Sequence, residues 1–215
     1  MMKRCLILMM ILGAVLTLSG CGKSYEEDAR KTVNQYFAAV KDADLDKAKT
    51  YCSPNVDNEF DFDDYKAGFQ KQFEALNLSE KTKKQTEEFI DYCIRSSIES
   101  YEVGEAEKSE DWDDAYTVPV SIKFRDISDI DIETGQAAAN QKLQQYVKDN
   151  EDELEKVYTQ QGEDAFEKKI MGDTMGIVLG EMKKLIDGQK PEERTAEATV
   201  IRKDDRWVIS KMTAD

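Results

Sequence analysis

The stretch "YTVPVSIKF", residues 116–124, decides the class of fold. Its large apolar residues alternate with Thr, Pro, Ser and Lys, which is the pattern of a β-strand with one buried face and one solvated face. These apolar residues are Tyr116, Val118, Val120, Ile122 and Phe124. Pro119 has no backbone N–H to give to a neighbour, so we expect the strand to be an edge or bulged at that point.

Two further segments with a period of two lie on either side of this strand. Before it, Tyr101 and Val103 alternate with Glu102 and Gly104. Near the end of the chain, "TAEATVIRKDDRWVISKM" (195–212) predicts a hairpin that turns at Asp204-Asp205. Trp207 and Ile209 fall on one face of its second strand. The sheet is therefore expected to be antiparallel.

The first third of the chain has the period of helices instead. Apolar residues from Tyr25 to Val40 recur every three or four positions, which predicts an amphipathic helix. A short helix follows with Asp44 as its N-cap, and Ser53-Pro54-Asn55 breaks the chain. Two more helices are expected, one with Tyr65, Phe69 and Phe73 inward and one that begins after Ser79. The predicted fold class is α+β, with an antiparallel sheet packed on N-terminal helices.

A helical segment, 134–187, separates the strand that ends at Phe124 from the strand that begins near Thr195. We interpret it as an insertion between neighbouring strands. Its two helices are expected to pack as an antiparallel hairpin joined at Gly162, or on the sheet. The second helix carries glycines at 172, 176 and 180, which indicate either close approach of another backbone, such as that of Ala137–Ala139, or a bent helix. We expect this insertion to hold the partner-facing surface.

The amino terminus has the features of an export signal. Lys3 and Arg4 precede an apolar run, 5–18, that is too short to span a bilayer and ends in Leu18-Ser19-Gly20-Cys21. This motif resembles the lipobox of bacterial lipoproteins. The resemblance implies a signal peptide at 1–20, cleavage before Cys21, and a diacylglyceryl group on the Cys21 sulfur. Residues 21–24 would be the lipidated tether, and 25–215 the folded domain.

The charge of the chain limits its partners. The formal net charge is −15, and loss of Lys3 and Arg4 with the signal would make it −17. Nucleic acid is repelled by so acidic a surface, so no nucleic-acid partner is expected. The predicted membrane partner is reached through the Cys21 lipid, on the extracytoplasmic face of the cell membrane.

Two cysteines remain in the mature domain, Cys52 and Cys93. In an exported protein they are a candidate disulfide that would close a loop of about 40 residues and contribute about 3–4 kcal/mol. The alternative is two free thiols. The sequence contains no histidine, the commonest general base and a common zinc ligand.

The segment "ARKTVNQYFAAVKDADLDKAKTYCSP" (29–54) and the closing hairpin resemble the cystatin-like, nuclear-transport-factor-2-like fold. With the lipobox, the chain is similar to Gram-positive lipoproteins of unknown function. The resemblance implies a curved sheet around the helices, with a pocket in its concavity. The candidate pocket residues are Tyr116, Val118, Val120, Trp207 and Ile209.

No catalytic residue, cofactor or metal ligand is predicted. Enzymes of that fold use Asp, Tyr or His inside the sheet, and no Asp stands on an apolar strand face here. The acidic runs 42–46 and 57–64 lack the Gly and Glu that a calcium loop needs. The predicted function is a non-catalytic module that binds an envelope protein, a peptide or a wall component. The alternative is a small-ligand carrier. An apolar cavity at Tyr116 and Trp207 would favour the carrier, and a filled core with exposed apolar residues on the insertion would favour the module.

Overall fold

The structure, a computed structural model, describes residues 25–60, 62–74, 78–110, 112, 114–127 and 132–214. The predicted signal peptide and tether, 1–24, lie outside the described residues. The described part is an α+β domain with a curved sheet, as the sequence predicts. Its helices are α1 (Tyr25–Lys41), α2 (Leu45–Lys49), α3 (Phe62–Glu74), α4 (Glu80–Ser97), α5 (Ile132–Asp149), α6 (Glu151–Gln161) and α7 (Glu163–Gly188). Its strands are β1 (Cys52–Asn58), β2 (Ile98–Val103), β3 (Glu107–Lys108), β4 (Ala115–Phe124), β5 (Glu192–Lys203) and β6 (Arg206–Ala214).

The strands form one sheet in the order β1-β6-β5-β4-β2, with β3 also paired to β4. β4 and β5 form an unbroken antiparallel ladder from Ala115↔Ile201 to Phe124↔Glu192. The prediction that the strands on either side of the insertion are neighbours is therefore confirmed. The β5–β6 turn falls at Asp204 and Asp205, which have φ values of 48° and 61°. Such left-handed pairs form the tight turns that suit the twist of a hairpin.

The edge strand β1 differs from the expectation of a chain break at 53–55. It pairs with β6 in parallel, the one parallel pair among the described strands. Pro54 is tolerated because the register shifts between Cys52 and Asp57, so no ladder hydrogen bond is required of it. Ile209 N donates to Tyr51 O at 2.8 Å at the start of this pairing.

Pro119 lies at a point in β4 where its missing backbone N–H costs the hydrogen-bond ladder little. β4 is central, but its neighbour on one side changes from β2 to β3 next to this residue. Gly104 N donates to Pro119 O at 2.8 Å, so Pro119 turns its carbonyl toward the interruption. In an extended strand the N–H and C=O of one residue point to the same side, so the absent donor also faces the gap. The expected edge or bulge is met only on this side of β4, because the ladder with β5 runs through Pro119 without a shift.

The main core lies between α1 and one face of the sheet. Ala29, Val33, Phe37 and Val40 give α1 a fully buried apolar face. The strand residues in the same cluster are Ile98, Tyr116, Val118, Val120, Ile122, Ala196, Ala198, Val200, Ile209 and Met212. On the other face of β4, Pro119, Ser121 and Lys123 are exposed. One face of the sheet is thus covered by helix and the other meets solvent.

The insertion is a helical hairpin, α5–α6 against α7, that also packs on α4. Gly162, with φ of +87°, joins α6 to α7, where a left-handed backbone favours glycine. The junction predicted at Gly162 is confirmed. A second core cluster of Phe89, Cys93, Leu179 and Ile186 holds α7 on α4. Within the described residues, none of the helices combines the length and apolarity that crossing a bilayer requires.

Candidate interaction surface

The pocket predicted in the sheet is filled. Val118, Val120 and Ile209 are at most 1 % exposed, and Tyr116 is 9 % exposed. They lie against the apolar face of α1 in the main core, so they leave no space for a ligand there. The pocket assignment for these residues is wrong. The physical reason is that α1 supplies enough apolar side chains to close the face.

Trp207, the fifth predicted pocket residue, closes one end of this core. Its ring lies 5.4 Å from the ring of Tyr116 in an edge contact and 5.7 Å from the ring of Tyr25 in a tilted contact. Arg202 lies over the Tyr25 ring, with its Cζ 5.4 Å from the ring centroid. Burial raises the pKa of the Tyr116 hydroxyl above its usual value. Trp207 therefore covers packed side chains rather than the mouth of a pocket.

A cavity of about 440 Å³ lies elsewhere, beside the edge strand β1. Val40, Leu45 and Phe60 contribute apolar walls, and Asn58 donates from Nδ2 to the Tyr36 hydroxyl at 2.9 Å. At its rim Lys49 and Asp63 form an ion pair of 2.9 Å. The sequence pattern does not predict this cavity, because the cavity forms where the chain passes from α2 into β1 and where α3 begins.

The two cysteines of the domain are free thiols, not a disulfide. Cys52 begins β1 and donates weakly to the Ala48 carbonyl, with a sulfur-to-oxygen distance of 3.8 Å. Cys93 belongs to the second core cluster between α4 and α7. Burial raises the pKa of Cys52 to about 11 and that of Cys93 to about 12. The candidate disulfide is thus corrected, because the two residues serve different packing layers.

Exposed apolar side chains concentrate on the hairpin. Among the described residues, six large hydrophobic side chains are exposed, and four of them lie on the insertion: Val147, Tyr158, Met171 and Val178. We call these four the hairpin surface. Met171 and Val178 are seven residues apart on α7 and so share one side of the helix. Tyr158 packs edge-on against Phe166 at 5.5 Å, which tethers α6 to the start of α7.

Charged networks hold the hairpin together beneath this surface. Tyr146 and Lys169 donate to Asp173 at 2.5 and 2.9 Å, and Lys169 also reaches Glu153 at 3.0 Å. Burial favours the neutral acid at Asp173, but these two hydrogen bonds outweigh it, and the pKa of Asp173 falls below its usual value. The interhelical geometry of α7 against α5 and α6 is thus fixed by both charge and packing.

Glu181 forms the other network. It is 9 % exposed and accepts from Lys142 of α5 at 2.5 Å and from Lys184 at 2.8 Å. These hydrogen bonds hold the pKa of Glu181 below its usual value. Sequence reasoning missed this residue, because a Glu at one helical position carries no signal of its partner on another helix.

Two of the three predicted contact glycines of α7, Gly172 and Gly176, face α4 rather than Ala137–Ala139. A Cβ on Gly172 would lie 3.3 Å from Thr82 Oγ1, one on Gly176 would lie 3.8 Å from Gln85 Nε2, and one on Gly180 would meet nothing within 4 Å. The close neighbours are therefore α4 side chains, and the expected backbone partner is wrong. The tight contact between α5 and α7 instead occurs at Gly135, where a Cβ would lie 2.4 Å from Leu185 Cδ1.

The acidic runs serve local structure where the structure describes them. Asp44 caps α2 by accepting from Lys47 N at 3.0 Å. Asp63 pairs with Lys49 across the gap between α3 and α2. Within the described ranges, no group of three or more His, Cys, Asp or Glu side chains is arranged to hold a metal ion.

The hairpin and the start of α1 lie at opposite ends of the sheet. Tyr25, the first residue of α1, contacts Trp207 near the β5–β6 turn, where β4 begins at Ala115. The insertion leaves and rejoins the sheet at Phe124 and Glu192, where β4 ends. A strand of ten residues spans about 30 Å. The start of α1 therefore lies at one end of the domain, and the root of the hairpin lies at the other.

Comparison with known proteins gives a likeness to solved structures alone. No protein-family model matches the chain, and no curated protein matches it. Among solved structures, the chain is similar to "a putative lipoprotein (ycdA)" from Bacillus subtilis, with a TM-score of 0.43 and 15 % sequence identity. The match covers 85 % of this chain and 51 % of that one, so the chain spans about half the length of that protein. The resemblance to the cystatin-like fold and the lipid site at Cys21 stay predictions.

Proposed function

We propose that this protein is a lipoprotein, anchored through Cys21 on the extracytoplasmic face of the cell membrane, and that it acts there as a non-catalytic interaction module. The module presents the helical hairpin to an envelope protein, a peptide or a wall component. The lipobox-like order of charge, apolar run, small residues and Cys in 1–21 supports the anchor.

One observation carries the choice of an interaction module over a carrier. The predicted pocket at Tyr116 and Ile209 is filled, the cavity beside β1 is not lined by these residues, and four of the six exposed large hydrophobic side chains among the described residues lie on the hairpin. Exposed apolar side chains that gather on one element are typical of an interaction site, whereas singly scattered ones are not. The charged networks at Asp173 and Glu181 keep the hairpin rigid, so its surface is held ready for a partner.

The test compares partner recovery by wild-type protein and by a Met171→Ser/Val178→Ser variant. Both proteins are cross-linked in intact cells, purified from solubilised membranes and compared by quantitative mass spectrometry. We expect one or a few partners to be lost from the variant, since removal of exposed apolar contacts weakens a docking surface without disturbing the core.

A Lys168→Ser variant is the matched control, because this residue is exposed on the same helix. It should recover the same partners as the wild type. The proposal fails if the double variant recovers every partner at wild-type levels while circular dichroism shows that it is folded.

The anchor has its own test. Cells grown with labelled palmitate should incorporate label into the protein, and Cys21→Ala should abolish the incorporation. Label that persists in this variant would remove the lipobox interpretation and leave the hairpin proposal standing.

A further inference from the structure

The distance between Cys21 and the folded domain is short. Helix α1 begins at Tyr25, so only three residues, 22–24, lie between the proposed lipid and the first helical residue. Even when fully extended, the four residue-to-residue steps from Cys21 to Tyr25 reach only about 14 Å at roughly 3.3–3.6 Å per step. If Cys21 carries lipid, the end of the domain that contains Tyr25 must lie next to the bilayer.

That end carries the other two exposed large hydrophobic side chains among the described residues. Tyr25 is 43 % exposed and Trp112 is 59 % exposed. Tyr25 sits on Trp207 and beneath Arg202, whose guanidinium also donates to the Tyr25 hydroxyl at 3.4 Å. Tyr and Trp have an apolar ring with a polar handle, which suits them to the boundary between lipid and water.

Trp112 belongs to the same end. It lies in the connection between β3 and β4, and its carbonyl accepts from Ala115 N at 3.3 Å. The neighbouring Asp114 carbonyl accepts from Arg202 N at 3.4 Å, which joins this connection to the β5–β6 hairpin. The connection, the hairpin turn and the start of α1 therefore form one face.

We propose that this face, made of Tyr25, Trp112 and the turn Lys203–Arg206, lies on the membrane surface with both aromatic rings in the headgroup region. The proposal rests on the proposed lipid at Cys21. It commits to a bilayer as the occupant, because the length of the tether leaves this end of the domain beside the membrane. The root of the hairpin, where the chain leaves the sheet at Phe124 and rejoins it at Glu192, then lies at the end of the sheet away from the membrane.

The charges of this face indicate which lipids matter. Arg202, Lys203 and Arg206 are exposed, but so are Asp204 and Asp205 in the turn and Glu26 and Glu27 beside Tyr25. Arg202 also pairs with Asp205 at 2.9 Å. Because the face has both signs, attraction to anionic lipid is weak, and the contact depends on the aromatic rings and the tether. We expect little change between zwitterionic and anionic vesicles.

The test measures tryptophan emission from lipidated full chain reconstituted in phosphatidylcholine vesicles with brominated acyl chains. Bromine quenches a nearby indole. We expect a blue shift and a loss of emission in the wild type relative to unbrominated vesicles, and we expect Trp112→Phe to remove most of both. The residual signal belongs to Trp207, which is half-buried between Tyr25 and Tyr116.

A Trp112→Phe/Lys123→Trp variant is the control for orientation, because Lys123 is exposed near the end of β4 that lies opposite the β5–β6 turn. Its new indole should not be quenched. Unquenched Trp112 in protein that floats with the vesicles, with a lipid mass on Cys21, would overturn this inference and leave the proposed anchor intact. Protein without the lipid mass would overturn both.

Discussion

Gly104 shows how one missing side chain shapes the sheet. It stands at the end of β2, opposite the proline at the centre of β4. A Cβ at this position would lie 2.9 Å from Pro119 Cγ and 3.3 Å from Pro119 O. These contacts are too close for a carbon atom, and the backbone carbonyl cannot move aside without breaking the ladder.

Gly104→Ala should therefore destabilise the domain by about 1–3 kcal/mol, the usual cost of overpacking. For a chain of this size each kcal/mol lowers the thermal midpoint by roughly 2–4 °C. Thermal unfolding followed by circular dichroism measures the change. Gly68→Ala in α3 is the matched control, because a Cβ there meets nothing within 4 Å. It should be neutral or raise stability by about 0.5–1 kcal/mol. Equal effects of the two substitutions would contradict the packing argument.

The two thiols provide the second test at this scale. Since Cys52 and Cys93 are unpaired, protein unfolded without reductant should take up two alkyl groups on these residues. In the folded protein both should react slowly at neutral pH, because burial raises both pKa values and the thiolate is the reactive form. Intact mass counts the labels. A mass without added label would mean that the thiols are bridged.

At the scale of elements, the hairpin depends on carboxylates that stay ionised. Asp173 and Glu181 have pKa values lowered by their lysine and tyrosine donors. A carboxylate with a lower pKa in the folded state stabilises that state above its unfolded pKa. The contribution disappears as the pH falls through the folded value. Acid should therefore loosen α7 from α5 and α6.

We expect Glu181→Gln to lower the thermal midpoint at pH 7. The difference in midpoint between this variant and the wild type should shrink below about pH 4.5, the ordinary pKa of Glu. At low pH the wild-type carboxyl is itself neutral, so the two proteins then differ little at this site. Melting curves between pH 7 and pH 3.5 give the comparison. Glu167→Gln, at an exposed position on the same helix, should follow the wild type throughout. A constant gap between wild type and Glu181→Gln at every pH would refute the assignment.

At the scale of the whole molecule, the insertion connects two strands, β4 and β5, that already pair with each other along their length. Phe124 and Glu192 pair directly, so a short flexible linker in place of 134–190 can connect the two strands. The main core, between α1 and the sheet, includes no residue of the removed segment. The deletion should therefore yield a folded α+β domain.

The deleted protein should be less stable than the full chain, because Phe89 and Cys93 lose the cover of Leu179 and Ile186. Circular dichroism and amide exchange should show a cooperative core with protected β4 and β5. Phe89→Gln in the deleted protein should reduce aggregation by making the uncovered face polar. A product without protected amides would show that the hairpin is part of the folding core.

The periodicity of apolar residues was sufficient to predict much of the secondary structure of this domain. The alternation at 116–124, the helical stripe of α1, the turn at Asp204-Asp205 and the joint at Gly162 all depend on local backbone preferences, so the sequence predicts them. The packing partners of each element were harder to predict from the sequence. β1 was missed because Pro54 masks a strand whose partner, β6, is more than 150 residues away. The glycines of α7 were given the wrong partner because a pattern on one helix does not say which helix packs there.

The sequence by itself determined the α+β class, the antiparallel pairing of β4 with β5, and a helical insertion between them. Each follows from the period of apolar residues and from turn chemistry, which act over a few positions. The structure has three helices in the insertion, α5, α6 and α7, rather than the predicted two, because the first predicted helix is interrupted at Asn150. Only the tertiary structure decided that the face of the sheet is filled rather than hollow, that Cys52 and Cys93 stay apart, and that the hairpin rests on α4. Those outcomes depend on how side-chain volumes from distant segments fit together, and close packing is a property of the assembled core rather than of any one segment.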